Sequence, residues 1–311
     1  MRARSTGPQS RQLVTESLFS RLFPSLTLLL ILASFKGISP GTPLLLVLLV
    51  AGVVILGLPH GALDPFVAKQ LWGARQSFSM IGFLLLYTSM AALCAMVWFI
   101  TPNAALVGFL IISAYHFGSD WDGRCIPWGK SAFGISIVCV STLFKADKVE
   151  QIYKQLGASI AHQIVTTSQV LAVVGIVAAL LAASSRSKFR ISNLLELSTV
   201  VAGGFFLPPL LFFVCYFCLL HSPRHLMQTA RTLGLGGIQD IARSAAPTVL
   251  ATLVLGIGLW IVLPESLYSK KVIQLVFIGL AALTAPHMLL TELSLRKNLP
   301  SLPVAGCADL L

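Results

Sequence analysis

Of 311 residues, 56% are apolar and only 11% are charged, where a soluble globular domain carries about 25% charged residues. With a mean hydropathy of +0.86, this composition excludes a disordered chain and argues against a soluble enzyme, which could not coat its surface with so few charges. The net charge of +11 is spread singly or in pairs between apolar runs, so it reads as topology determinants and contacts to anionic lipid, with no nucleic-acid partner.

The chain reads as an all-α, polytopic integral membrane helical bundle with eight or nine transmembrane helices, a multi-pass protein of the cell membrane. Residues 1–40 hold a basic start with Arg2, Arg4 and Arg11, then an apolar stretch from Leu18 to Phe35. Lys36 follows directly, without a small-residue cleavage site, so the stretch is expected to be an uncleaved first span with a cytoplasmic start. A membrane-embedded core over 41–295 contains further apolar runs near 43–58, 80–100, 104–117, 131–144, 168–184, 197–220, 246–263 and 272–290. A span needs about 20 apolar residues, and the runs at 104–117 and 131–144 fall short of that. All runs are continuous rather than alternating, which argues against a β-barrel. Lys69 and Arg75 follow the second run, no positive charge lies at 101–103, and Arg124 and Lys130 come after. That alternation supports a cytoplasmic N-terminus. Later segments are positive on both nominal sides, and the rule ends there. Gly234 to Gly237 is a short flexible connector, and residues 296–311 form a C-terminal tail.

Six cysteines are scattered, and Cys215 and Cys218 make a single CxxC inside an apolar run. A structural zinc site needs four ligands at tight spacing, so these two read as small apolar fillers.

Ionisable groups inside spans are costly and normally face the interior, where they mark function. Five of the six histidines lie at span edges or within spans: His60, His116, His221, His225 and His287. His162, in the polar 145–167 connector, reads as a surface residue. A lone histidine at a span end is usually an interfacial polar tip; five together point to a metal. His221 and His225 are four apart, so they share a helix face, and His60 and His116 end separate spans that can converge on it. Pro223 interrupts this argument, because it cannot donate to the Leu219 carbonyl. The helix must kink there, or restart with Ser222 as N-cap. Imidazole suits iron, copper, zinc and nickel alike. Asp64 is four residues after His60 and Asp120 four after His116. Each carboxylate is a candidate to accept the far imidazole proton and orient its ring, although loop solvation is an equal reading for Asp120 and Asp122. Glu196 reads as a helix-start acid. Tyr115 and Tyr216 are candidates to line the cavity, with core packing the alternative.

The motifs GLPHGALD (57–64), YHFG (115–118), YFCLLHSPRH (216–225) and QLVFIGLAALTAPHMLL (274–290), in that order, strongly resemble the Brp/Blh family of bacterial and archaeal membrane β-carotene 15,15′-dioxygenases. The likeness runs from about residue 43 to residue 292. It implies cleavage of β-carotene at the central double bond with O2 to two all-trans-retinal, supplying a microbial rhodopsin. It also implies Fe(2+) held by His60, His116, His221 and His225, with His287, in a matching motif, kept as a candidate behind the ligands or at the cavity. The chain departs from the family in its first forty residues, an extension, and in the shifted position of Asp120. β-Carotene partitions into lipid and is about as long as the bilayer core is thick, about 30 Å, so a long apolar tunnel past the metal is expected.

A di-iron desaturase would need adjacent His-His pairs, which are missing from the sequence. A b-type cytochrome fits poorly with two histidines on one turn. The remaining rivals are a polytopic transporter, or a rhodopsin-associated non-catalytic membrane protein, using the same histidines.

Overall fold

Backbone amides in hydrocarbon must be satisfied within their own segment, so long apolar runs become helices. The structure, a computed structural model, describes residues 8–38, 40–73, 79–264 and 266–297, with backbone alone for 8–20 and 187. Among the described residues every regular element is helical. In chain order the α-helices are α1 (Pro8–Phe35), α2 (Thr42–Gly52), α3 (Asp64–Trp72), α4 (Met80–Ile100), α5 (Pro102–Gly118), α6 (Pro127–Phe144) and α7 (Ala146–Gln155). They continue as α8 (Ala161–Ala183), α9 (Arg190–Phe206), α10 (Pro209–Tyr216), α11 (Ser222–Thr232), α12 (Ile238–Val262) and α13 (Tyr268–Arg296). The C-terminal tail expected after residue 296 lies, beyond Lys297, outside the described residues.

Six helical stretches among the described residues are long and apolar enough to cross a membrane: Thr42–Trp72, Met80–Ile100, Ala161–Ala183, Pro209–Thr232, Ile238–Val262 and Tyr268–Arg296. The expected count of eight or nine is therefore not reached by this measure. The run expected as one span at 197–220 is two helices, α9 and α10, which part at Leu207 and Pro208. Consecutive prolines at 208 and 209 cannot donate backbone hydrogen bonds, so the ladder stops there and Pro209 starts a new helix. The expected polar connector at 145–167 is mostly helical, as α7 and the start of α8.

The shorter α6 lies inside the bundle, with α5 packed against it. α6 packs against α5, α8 and α9, and its inner side buries Phe133, Ile137 and Val140. Close approach explains why small residues recur there. A Cβ on Gly134 would stand 1.8 Å from the Ala114 carbonyl oxygen of α5, so glycine at this position lets the two backbones touch.

Two irregular segments interrupt otherwise long spans. α2 runs into a π-helical turn at Val53–Gly57 and a 3-10 turn at Leu58–His60. α10 runs into a second π-helical turn at Phe217–His221 before α11. Both precede a proline, Pro59 and Pro223, whose missing N–H is tolerated in the first turn of the next helix. The π-turns are packed together: the Ser222 hydroxyl donates to the carbonyls of Leu56 and Gly57. A Cβ on Gly57 would meet the Phe217 ring at 2.7 Å.

Candidate metal centre

Single-turn π-segments place side chains off the regular helical face and concentrate at functional sites. Here one of them ends in His221, and the other leads through the 3-10 turn Leu58–His60 to His60. The end of α5 brings His116, the first turn of α11 brings His225, and α13 brings His287 just after Pro286. His116, His221 and His287 are buried. The His116 and His221 ring centroids are 4.5 Å apart, and His116 lies 5.5 Å from His225 and 5.4 Å from His287. His60 is 6.2 Å from His116, 5.7 Å from His221, 5.8 Å from His225 and 5.2 Å from His287. All five sequence-selected histidines thus meet, while His162 is exposed against Glu150.

The outer nitrogens show which way the rings are held. Nδ1 of His60 meets the Gly57 carbonyl. Nδ1 of His221 lies 3.1 Å from an Asp120 carboxylate oxygen. Nδ1 of His287 lies 3.0 and 2.9 Å from the two Asp64 oxygens. Carbonyl and carboxylate oxygens only accept, so each of these Nδ1 atoms donates and each Nε2 keeps its lone pair. The three lone pairs face the centre of the cluster. Nε2 of His221 stands 3.0 Å from Nε2 of His116. His287 Nε2 is buried with no hydrogen-bond partner among the described residues, an arrangement that costs about 1–3 kcal/mol.

That orphaned acceptor is what a cation would satisfy. Donor atoms of His60, His116 and His287 all lie within 4.8 Å of one another. The donor set is neutral imidazole, and two carboxylates, Asp64 and Asp120, stand one bond behind it to balance a divalent charge. The residues fit a transition metal of the iron, copper, zinc and nickel group.

The carboxylates serve different rings from those the sequence spacing suggested. Asp64 faces His287, not His60, and also accepts from the Tyr87 hydroxyl at 2.8 Å. Asp120 faces His221, not His116, and accepts from Tyr216 at 2.6 Å. Burial opposes the Asp120 charge, but His221, Arg224 and Tyr216 together outweigh it and hold its pKa below the ordinary carboxylate value. Asp120 is therefore not a solvated loop acid; Asp122 is the exposed one, paired with Lys130. Tyr115 is not brought to the site. It is 53% exposed and donates to Glu292, because neighbouring residues on a helix point about 100° apart and His116 takes the inward direction.

Sequence reasoning missed three supports. Tyr87 is an isolated polar group in the apolar α4. Arg224, inside the HSPRH motif, donates to the Asp120 backbone carbonyl at 3.3 Å and to Glu196 at 2.9 Å. Glu196 is not a helix-start acid. It is buried in α9 and bridges Arg224 and Arg124. The signal was the presence of an acid and two arginines that apolar surroundings could not leave unpaired.

Beside the imidazoles lies a cavity of about 80 Å³, lined by Phe109, Phe117, Phe213 and Phe217, by Leu280 and Leu283, and by His60, His116 and His287. It is a mainly apolar chamber with a nitrogen-rich wall.

Comparison with known proteins agrees with this picture. The chain matches the family described as "Beta-carotene 15,15'-dioxygenase" over residues 51–294. It is 28% identical over 256 residues to the "Beta-carotene 15,15'-dioxygenase" of uncultured marine bacterium 66A03, covering 79% of this chain and 92% of that protein. It is 25% identical over 286 residues to the "Probable beta-carotene 15,15'-dioxygenase Blh" of Halobacterium salinarum, covering 77% of this chain and 81% of that one. No solved structure matches it.

Proposed function

The chain belongs to the beta-carotene 15,15'-dioxygenase family, and on that premise we propose that it cleaves β-carotene with O2 at the 15,15′ double bond to two all-trans-retinal. The observation that carries this reading is the convergence of five imidazoles on the wall of a buried apolar chamber. Fe(2+) is the metal proposed, with His60, His116, His221 and His225 holding it. When bound there, it would supply the activation of O2.

The chain's own residues do the rest. Phe109, Phe117, Phe213 and Phe217 offer flat apolar surfaces to a conjugated polyene and keep water from the centre. The chamber has His60, His116 and His287 in its wall. It suits a short length at the middle of a molecule about as long as the bilayer core, about 30 Å. The ends of the polyene would run out between helices toward lipid, which selects the central bond by symmetry of reach. Asp64, Asp120 and the Gly57 carbonyl accept from the outer Nδ1 atoms and so hold the rings of His287, His221 and His60 in place. No general base is needed, in keeping with acids that sit behind the imidazoles rather than in the chamber. The plasma membrane is the proposed location, and a retinal-binding rhodopsin the proposed consumer of the product.

The test is co-expression in a bacterium that accumulates β-carotene, with pigments separated and retinal quantified. Retinal in twofold molar yield, with loss of orange colour, is expected. Unchanged β-carotene, with protein in the membrane and iron supplied, would overturn the proposal in favour of a transporter or non-catalytic partner. Longer apocarotenals would move the cut.

A further inference from the structure

We propose that His287 is itself a donor to the metal, presented by a hydrogen-bonded chain from Tyr87 through Asp64; this rests on the metal-centre reading above. Three observations carry it. The grouped donor atoms are those of His60, His116 and His287, within 4.8 Å of one another. The inner nitrogen of His287 is buried and without a partner among the described residues. The outer nitrogen is gripped by both oxygens of Asp64, at 3.0 and 2.9 Å.

A histidine kept for packing alone does not need this grip. One hydrogen bond would satisfy its proton, and its second nitrogen would find a partner or be turned toward solvent. Here the Asp64 carboxylate excludes the other tautomer and raises the basicity of Nε2. Asp64 is itself fixed. It is 4% exposed at the start of α3, and the Tyr87 hydroxyl of α4 donates to its Oδ2 at 2.8 Å. α13 packs against both α3 and α4, so three helices aim one imidazole. The His221–Asp120–Tyr216 arrangement has the same parts: imidazole, carboxylate, tyrosine hydroxyl. The centre is thus flanked by two matching supports, and a ligand role for His221 argues for the same role for His287.

The experiment measures metal rather than turnover. The full-length protein and the variants His287→Ala, Asp64→Asn, Tyr87→Phe and His60→Ala are purified in detergent. Each is titrated with Co(II), read by its visible bands, and iron content is measured in parallel. Expected is a loss of at least about tenfold in Co(II) affinity and a changed spectrum for His287→Ala. Asp64→Asn should lose about 10–100-fold, the usual effect of removing a carboxylate behind a ligand, and Tyr87→Phe should lose less. Wild-type affinity and spectrum in both His287→Ala and Asp64→Asn, while His60→Ala loses metal, would remove His287 from the ligands and leave the centre standing. Retention of metal by His60→Ala would remove the centre itself. Should His287→Ala fail to accumulate, Asp64→Asn and Tyr87→Phe decide the matter, since both nearly preserve shape.

Discussion

Asp120 and Asp122 stand two residues apart and have opposite fates. Asp120 is buried against His221 and Tyr216, whereas Asp122 meets Lys130 in the open. Replacing Asp120 with Asn should free the His221 ring and lower metal affinity by about 10–100-fold, measured by Co(II) titration. The same step along α5 separates His116 from Tyr115. Tyr115→Phe should leave retinal formation within about twofold, because surface substitutions away from a site change little. A larger loss would mean that the Tyr115–Glu292 contact governs substrate access. Glu196→Ala should destabilise by about 1–3 kcal/mol, since it leaves the part-buried Arg124 and Arg224 without their shared carboxylate; unfolding in detergent tests this. Residue types and their candidacy were legible in the sequence for all five histidines and both aspartates. Pairing was not, because Asp64 and His287 lie 223 positions apart, and spacing along one helix reports only on that helix.

At the scale of elements, the proline motifs are resolved by π-turns. The sequence posed the problem correctly, because Pro223 cannot donate to the preceding turn. The answer depended on the partner. Ser222, the N-cap in one of the two readings, instead gives its hydroxyl to the carbonyls of Leu56 and Gly57 in the facing π-turn. The α5–α6 contact offers a sharper test. Gly134→Ala would put a methyl 1.8 Å from the Ala114 carbonyl oxygen and force the helices apart at the turn that leads to His116. It should cost about 1–3 kcal/mol or more and reduce membrane accumulation. Gly256→Ala, where nothing lies within 4 Å of the new methyl, should be neutral or slightly stabilising. Equal effects of the two would remove close helix approach as the reason for glycine in α6.

For the whole molecule, a bound metal couples stability to loading, because ligands that bind only the folded state stabilise it by mass action. Removing metal with a ferrous chelator should lower the thermal midpoint, and restoring Fe(2+) should recover it. His60→Ala should show no such difference. The chamber predicts a second whole-molecule property. Its walls are contributed by distant segments, from Leu58 to His287, so substrate in lipid nanodiscs should protect amides of α5, α10 and α13 together in hydrogen exchange.

By itself the sequence determined that this is a helical membrane protein and singled out five of its histidines as candidates for its chemistry. Hydrocarbon leaves backbone no alternative to helix, and polar groups in apolar runs are too costly to be idle. The sequence's eight or nine spans are not reached among the described residues, where the runs at 18–35, 104–117 and 131–144 give no helix counted as a span. Only the tertiary structure decided which carboxylate stands behind which imidazole. Only it joined Arg124, Glu196 and Arg224, and turned Tyr115 away while bringing Tyr87 in. Each of these is a contact between helices far apart in the chain, set by how the bundle packs rather than by any local pattern.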